Sequence, residues 1–456
     1  MINEFKHLLC EEMKKNILHI GMTSVFLMLA ILCQDAIAQD FASRVKSDRQ
    51  IACGVYHPYH HGNLADTPAP KGYKPFYISH FGRHGSRYHT TVRYFAAALE
   101  ALEKADSADA LTTKGRHLLE DMTIVNAVHQ GMEGQLSPLG GREHQAIARR
   151  MYQRFTPVFS SKERNEVRCA SSTVDRCIVS MANFSQSLAS CSPDLDFQFF
   201  TGDKYYAYIA NKGPLHKEVS NYASHFTDSL RRSICTFDKL LASVFVSKEA
   251  ADTLVKNPID FVRSVYMAGS ICPDLNYMEI FPIENPSGRH IDLFEYLDDE
   301  ELLPQIQANS SWMYCHYGNS AECGEKIVLN ACKLLSIILE EASAAVKKGS
   351  MRAADLRFGH DTGILPLLGL IGVEGMTERR PSDKSWEFWT TYDRIPMATN
   401  LQMIFYRNKK DEVLVKMLYN EQEVTIPALV PASGPYYEWN ELYRYLNQKS
   451  LINNQL

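Results

Sequence analysis

Two apolar segments run straight into clusters of reactive side chains, and this pattern constrains the fold more than anything else in the chain. Phe76-Tyr77-Ile78-Ser79-His80-Phe81 reads as a buried strand that ends in Arg83-His84-Gly85-Ser86-Arg87. Leu356-Arg357-Phe358 reads as another strand. It leads into His360-Asp361 and then the apolar Thr362 to Leu368, suited to a short helix. Open α/β sheets place their chemistry at the carboxyl ends of strands. Guanidiniums present planar forks of donors that match anion oxygens, and an imidazole between them is either a third ligand or a nucleophile. Gly85 lets the backbone bend and an anion approach closely. Alone, the first cluster is equally a basic surface turn, and one His-Asp dipeptide carries almost no signal. At two strand ends together, they predict a nucleophile and an acid meeting at one sheet edge.

The 456 residues suffice for one large domain with an insertion, or for two domains. A 45% hydrophobic and 22% charged composition leaves ample core. The formal net charge of -5 gives no reason to expect nucleic acid or an anionic membrane surface as partner. An anionic ligand would have to be gathered by local arginines.

The N-terminus reads as a targeting segment. Met13-Lys14-Lys15 is a basic start, Ile20 to Cys33 is an almost unbroken apolar run, and Ala36-Ile37-Ala38 fits a small-x-small cleavage pattern before Gln39. The run is short for a spanning helix, which needs about 20 apolar residues. Glu4, Glu11 and Glu12 suit a signal poorly, so translation is expected to start at Met13. Residues 1–38 are therefore expected to be removed, leaving a periplasmic or secreted chain with no membrane span. Lipid attachment at Cys33 is the disfavoured alternative, because Leu32 is larger than such a site prefers. Nine cysteines lie beyond residue 38, an odd count whose pairing is not readable from sequence. Cys315, Cys323, Cys332 and His316 match no standard zinc spacing. His57, His60 and His61 read as a solvated loop before a metal site, so no metal is expected.

Strand rhythm over residues 76–82, 166–170 and 197–200 is interleaved with helical pattern over 90–160 and 174–189. It gives way to helical pattern over about 201–350, as in Ser229 to Phe245 and Lys326 to Lys347, with aromatic loops around Tyr205-Tyr206 and Trp312-Met313-Tyr314. Ser137-Pro138 reads as a helix cap with proline at the first helical position. Leu401 to Tyr406 and Val413 to Tyr419 read as an antiparallel pair. The expected fold is α/β, a mixed central sheet flanked by helices with an inserted, mainly helical cap. Residues 39–200 and 351–456 would form the core and 201–350 the cap.

With Arg83-His84-Gly85-Ser86-Arg87 early and His360-Asp361 late, the chain resembles the histidine acid phosphatases (histidine phosphatase superfamily, branch 2). A third element is similar too: Val167 to Cys177, a strand, a serine-rich turn and a helix that place Arg176 as another phosphate-binding arginine. Gly140-Gly141-Arg142-Glu143-His144, Asp355 to His360 and Ile395 to Leu401 bring the resemblance closest to multiple inositol polyphosphate phosphatases and phytases. There are departures. His89 stands where the family pattern has proline, and His360-Asp361 replaces the His-Ala-Glu of the inositol polyphosphate subgroup.

The resemblance implies an exported phosphomonoesterase acting on inositol polyphosphates through a phosphohistidine. His84 would be the nucleophile, and Asp361, held protonated, the general acid. Arg83, Arg87, Arg176 and His360 would bind the phosphoryl group, with no cofactor. Lys204 and Lys212 are candidates for further phosphates, as are Lys217, Arg231 and Arg232, although each is also read as a solvated surface charge. Each motif residue has a plainer reading as well: His84 as a core histidine, Arg87 as a surface arginine, Arg176 paired with Asp175, and Asp361 as a helix N-cap. Other functions stay open. They are a broad-specificity acid phosphatase on sugar or other monoesters, a non-catalytic phosphate-ligand-binding protein, and, against the late dyad, a mutase-like phosphotransferase.

Overall fold

The computed structural model describes residues 41–210, 215–275 and 290–452. The expected leader and Lys212 lie outside these residues. Eight strands form one mixed sheet: β1 (Lys74–Arg83), β2 (Glu166–Ser171), β3 (Asp196–Phe200), β4 (Arg352–Gly359), β5 (Asn400–Arg407), β6 (Val413–Tyr419), β7 (Gln422–Val424) and β8 (Tyr436–Glu438). Their order is β3-β2-β4-β1-β5-β6-β7, with β8 also paired to β6. The four strands β3, β2, β4 and β1 run parallel, and β5 to β8 continue the sheet antiparallel. The expected mixed sheet is observed, and so is the pairing of β5 with β6.

The period-two alternation of β1 explains why both faces are covered. Ile78 packs with Ile147, Met151, Phe184 and Leu356 beneath the helices Pro138–Arg154 and Asp175–Cys191. Tyr77 and Phe81 face the opposite way, into a cluster with Leu335, Ile338, Leu367 and Leu442 from three other helices. A third apolar cluster joins Leu99, Leu102, Leu118 and Met122 to Leu240, Phe261, Val265 and Leu302. The helices Ala96–Ser107 and Thr113–His129 thus share a core with the helices beyond residue 238.

Local readings fail in three places. The segment read as one helix from Ser229 to Phe245 is two, His216–Ile234 and Asp238–Val244, and the break is held by Thr236 Oγ1 donating to Glu300 O at 3.0 Å. The segment Lys326 to Lys347 is likewise broken, and only Cys332–Ala345 is a long α-helix. Trp312 lies in the helix Asp299–Tyr317 and not in a loop. That helix begins at a capping box of Asp298 and Glu301. Among the described residues no helix is long and apolar enough to cross a membrane.

Candidate active site

Parallel pairing sets Arg83 directly beside Gly359, so the two motifs leave the sheet side by side. His84 N–H donates to Gly359 O at 2.9 Å, and Ser172 N–H donates to Phe358 O at 3.1 Å from the other neighbour. The carboxyl ends of β2, β4 and β1 therefore bring Arg176, His360-Asp361 and the Arg83–Arg87 loop to one place.

The loop is seated on the helix Pro138–Arg154, whose cap is Ser137 with proline at the first position, as the sequence predicts. Gly85 is needed there for a reason the sequence reading missed. A Cβ on it would lie 2.5 Å from Gly140 O, so the glycine serves loop-to-helix packing. Beside it Glu143 accepts from Ser86 N at 2.7 Å, Ser86 Oγ at 2.8 Å and Tyr59 N at 2.6 Å.

His84 is buried, with Nδ1 2.9 Å from Gly85 O. A carbonyl can only accept, so Nδ1 carries the proton and Nε2 keeps its lone pair. Burial, followed by Arg176, Arg83 and Arg87, holds this imidazole well below its usual pKa of 6.5, and it is neutral. Tautomer and charge both suit a nucleophile.

Arg83 is fully buried. Its Nη1 donates to Val55 O and Ile395 O, both at 2.8 Å, and its Nη2 lies 3.1 Å from Asp361 Oδ2. Arg87 donates to Tyr88 O at 2.9 Å and lies 5.4 Å from the Tyr56 ring centre. Arg176 does not pair with Asp175, which instead accepts from Gln135 at 3.2 Å. Its Nη2 is 3.4 Å from His360 Nδ1, and burial followed by Arg87 lowers its pKa to about 10. An arginine N–H can only donate, so Nδ1 accepts and His360 Nε2 donates to Ser172 Oγ at 3.0 Å. The rings of His84 and His360 are 5.7 Å apart.

His360, not Asp361, is the helix N-cap; Asp361 is the first helical residue. Burial raises the Asp361 pKa, but Arg83, His360, Arg87 and the Thr362 N–H outweigh it, and the net shift is downward. The ligand-free carboxylate is ionised, which corrects the expectation of an acid held protonated. A phosphate dianion on Arg83 and Arg87 would offset the charges that hold Asp361 down.

A cavity of about 390 Å³ opens over Arg83, Arg87 and Asp361. Tyr56, Tyr94, Trp312 and Tyr317 wall it, and Arg231 and Arg263 stand on the helical side. Arg231 is 4% exposed. Its Nη2 is 3.3 Å from Asn309 Oδ1, its Nη1 is 3.5 Å from the half-exposed Asp228, and its Nε has no hydrogen-bond partner among the described residues. Burial, then Arg263, lowers its pKa to about 10.

Of the other candidate cations, Lys204 is exposed beside the Tyr205 ring and does not line this cavity. Lys217 is exposed, and Arg232 lines an adjoining cavity with Arg231 and Arg263. Tyr205 packs on Phe200. Cys332 points to Lys449 O, His316 stacks on Tyr317, and His61 turns to Gly62 O away from His57 and His60. Among the described residues no three metal-ligating side chains converge. The nine cysteines among the described residues are free thiols. Arg263, Glu143 and Ser172 are among the site residues to which the sequence reading assigned no role, as are Tyr56, Tyr94 and Tyr317 of the cavity wall. Arg263 carries no motif signal, being one of two charges, with Asp260, on the helix Pro258–Gly269.

A neutral histidine between buried arginines, set at a parallel strand end beside a His-Asp junction, is an arrangement suited to nucleophilic attack on a bound oxyanion. The comparisons agree. The model of the histidine phosphatase superfamily (branch 2) matches residues 272–420, a stretch that holds His360-Asp361 but not the Arg83–Arg87 loop. The chain is 24% identical over 378 residues to multiple inositol polyphosphate phosphatase 1 of Homo sapiens, covering 75% of this chain and 73% of that protein. It is similar to the Bifidobacterium longum multiple inositol polyphosphate phosphatase solved with inositol hexasulfate, at a TM-score of 0.70 and 21% identity over 87% of this chain and 97% of the other. It is also similar to the phytase of D. castellii, at 0.63 and 14% over 88% and 85%. The chain is thus similar to the branch 2 histidine phosphatases in sequence over part of its length, and to multiple inositol polyphosphate phosphatase in fold over most of it.

Proposed function

We propose that the chain is an exported phosphomonoesterase that removes phosphate from inositol polyphosphates through a phosphohistidine. His84 Nε2 attacks phosphorus and forms the P–N bond. The ester P–O bond breaks, and the departing alkoxide takes the proton of Asp361. Water then attacks phosphorus and gives its proton to Asp361, the P–N bond breaks with its electron pair returning to His84 Nε2, and inorganic phosphate leaves. Arg83, Arg87 and Arg176 offset the charge on the phosphoryl oxygens, the part a metal clamp plays elsewhere. His360, whose ring centre is 5.7 Å from that of His84, would border the phosphoryl group and orient Arg176 through Nδ1. The catalytic residues would sit on a core of residues 39–200 and 351–456. A cap of 201–350 would cover it, joined by the helices over 96–129.

The observation that carries the polyphosphate reading is Arg231 with Arg263. A buried guanidinium whose one ion-pair partner among the described residues is half-exposed is costly unless an anion meets it. Both residues line the cavity that holds Arg83 and Arg87, so one ligand with two separated phosphates would satisfy both pairs. Arg231→Ala and Arg263→Ala are each expected to raise KM for inositol hexakisphosphate about tenfold, the scale of one lost charge-assisted hydrogen bond. An aryl phosphate should be turned over as before. Equal losses on both substrates would favour the broad-specificity reading instead.

The export part rests on the apolar run and cleavage pattern before Gln39. N-terminal sequencing of the protein from outside the cytoplasm should begin at or near Gln39. An intact N-terminus in the cytoplasmic fraction would sink it.

A further inference from the structure

His89 occupies the position where the family pattern has proline, and the structure gives it a job that proline cannot do. Its ring is fully buried, and Nε2 lies 2.7 Å from Met267 O. The carbonyl can only accept, so Nε2–H donates. Nδ1 has no hydrogen-bond partner among the described residues. The ring packs edge-on against Tyr56, Tyr94 and Phe95. Its own carbonyl accepts from Gly134 N–H at 2.8 Å, so the backbone here is tied down independently of the ring.

Met267 lies one turn after Arg263 on the helix Pro258–Gly269, and both line the cavity. His89 is two residues beyond Arg87. The hydrogen bond therefore joins the loop that carries Arg87 to the helix that carries Arg263. A second tie runs the same way, from Arg87 N–H to Asp274 Oδ2 at 3.2 Å, but it grips the loop backbone beyond the end of that helix. Proline has no side-chain donor, so a chain with proline at this position lacks the first tie.

We propose that His89 is a positioning residue that sets the spacing between Arg87 and Arg263, and thereby the preference for substrates carrying more than one phosphate. The proposal rests on the polyphosphate reading above. Two phosphates on a rigid ring have a fixed separation, so a shift of the helix by a fraction of an ångström penalises a ligand that must meet both arginines. A monophosphate that meets Arg87 alone is untouched.

The test uses the full chain. His89→Gln keeps an amide donor near the position of Nε2, whereas His89→Leu removes it. The leucine variant is expected to raise KM for inositol hexakisphosphate about tenfold, with KM and kcat for an aryl phosphate and inhibition by inorganic phosphate unchanged. The glutamine variant should behave as the parent. Should leucine prevent folding, His89→Phe keeps the aromatic contacts without the donor and takes its place. A folded donor-free variant with the parent's ratio of the two KM values would overturn the proposal. So would a glutamine variant that loses as much as leucine. The Arg263→Ala result separates the two failures. If Arg263 is without effect on the hexakisphosphate, the polyphosphate reading fails. If Arg263 matters and the donor-free variants do not, only the role of His89 fails.

Discussion

Replacing His84 by alanine is expected to lower turnover by about four orders of magnitude or more while the protein stays folded. No other side chain can take its place. His360 is the nearest imidazole, and it is held between Arg176 and Ser172, with its free lone pair turned to the arginine. In the parent, Nε2 of His84 needs no base, because burial and the arginines already keep it neutral. Acid quench during turnover should therefore trap phosphate on His84 of the parent and none on the variant. If the parent yields no phosphoenzyme and a chiral phosphorus is inverted, the covalent path is excluded. Substantial activity in the alanine variant would sink the assignment of His84 itself.

Asp361→Asn should slow cleavage of an inositol phosphate by roughly 10²–10⁴ and leave an activated nitrophenyl phosphate nearly unaffected. An alkoxide must be protonated as it leaves, and a nitrophenolate need not be. The variant should also bind inorganic phosphate more tightly, because Arg83 Nη2 loses the carboxylate that sits 3.1 Å away. A purely helical role for Asp361 predicts neither effect, since asparagine serves a helix start about as well. The pH dependence follows from the same ion pair. In the free enzyme the Asp361 pKa is lowered, so the fraction protonated falls off early as pH rises. Bound phosphate raises that pKa. The alkaline limb of kcat should therefore lie at higher pH than that of kcat/KM for an alkoxide leaving group, since the first reports the complex and the second the free enzyme. Coincident limbs would show that the substrate does not charge the acid. For stability the sign is fixed by the lowered folded pKa: the Asp361 contribution is present above the ordinary carboxylate range and is lost as pH falls through the lowered value.

Much of the site is legible in the chain because it is local. A strand, a turn and the start of a helix are written in contiguous residues, so Arg83, His84, Arg87, Arg176, His360 and Asp361 could be named with their elements. The cap was less legible. Its helices carry the same periodicity on both sides of a break, and Cys235-Thr236-Phe237 holds no glycine or proline to punctuate the chain. What ends the helix at Ile234 is a partner at Glu300, far away in sequence. Trp312 was misread for a similar reason. The Asp298–Glu301 capping box starts this helix, and it runs through Pro304 to Tyr317 because the surrounding core sustains it.

The choice among cations shows the limit of sequence reading. Lys204 and Arg231 are indistinguishable as charges in a helical segment. Packing exposes the first and turns the second into the cavity. Arg263 carries no motif at all.

The sequence by itself determined the strand ends, the reactive residue types and their order, because backbone preference and short-range spacing fix those. Only the tertiary structure decided the proton on His84 Nδ1, the ionised state of Asp361, and the second arginine pair facing the first. Tautomer, charge and spacing depend on which carbonyl, guanidinium or helix is brought alongside, and no contiguous stretch of chain contains that information.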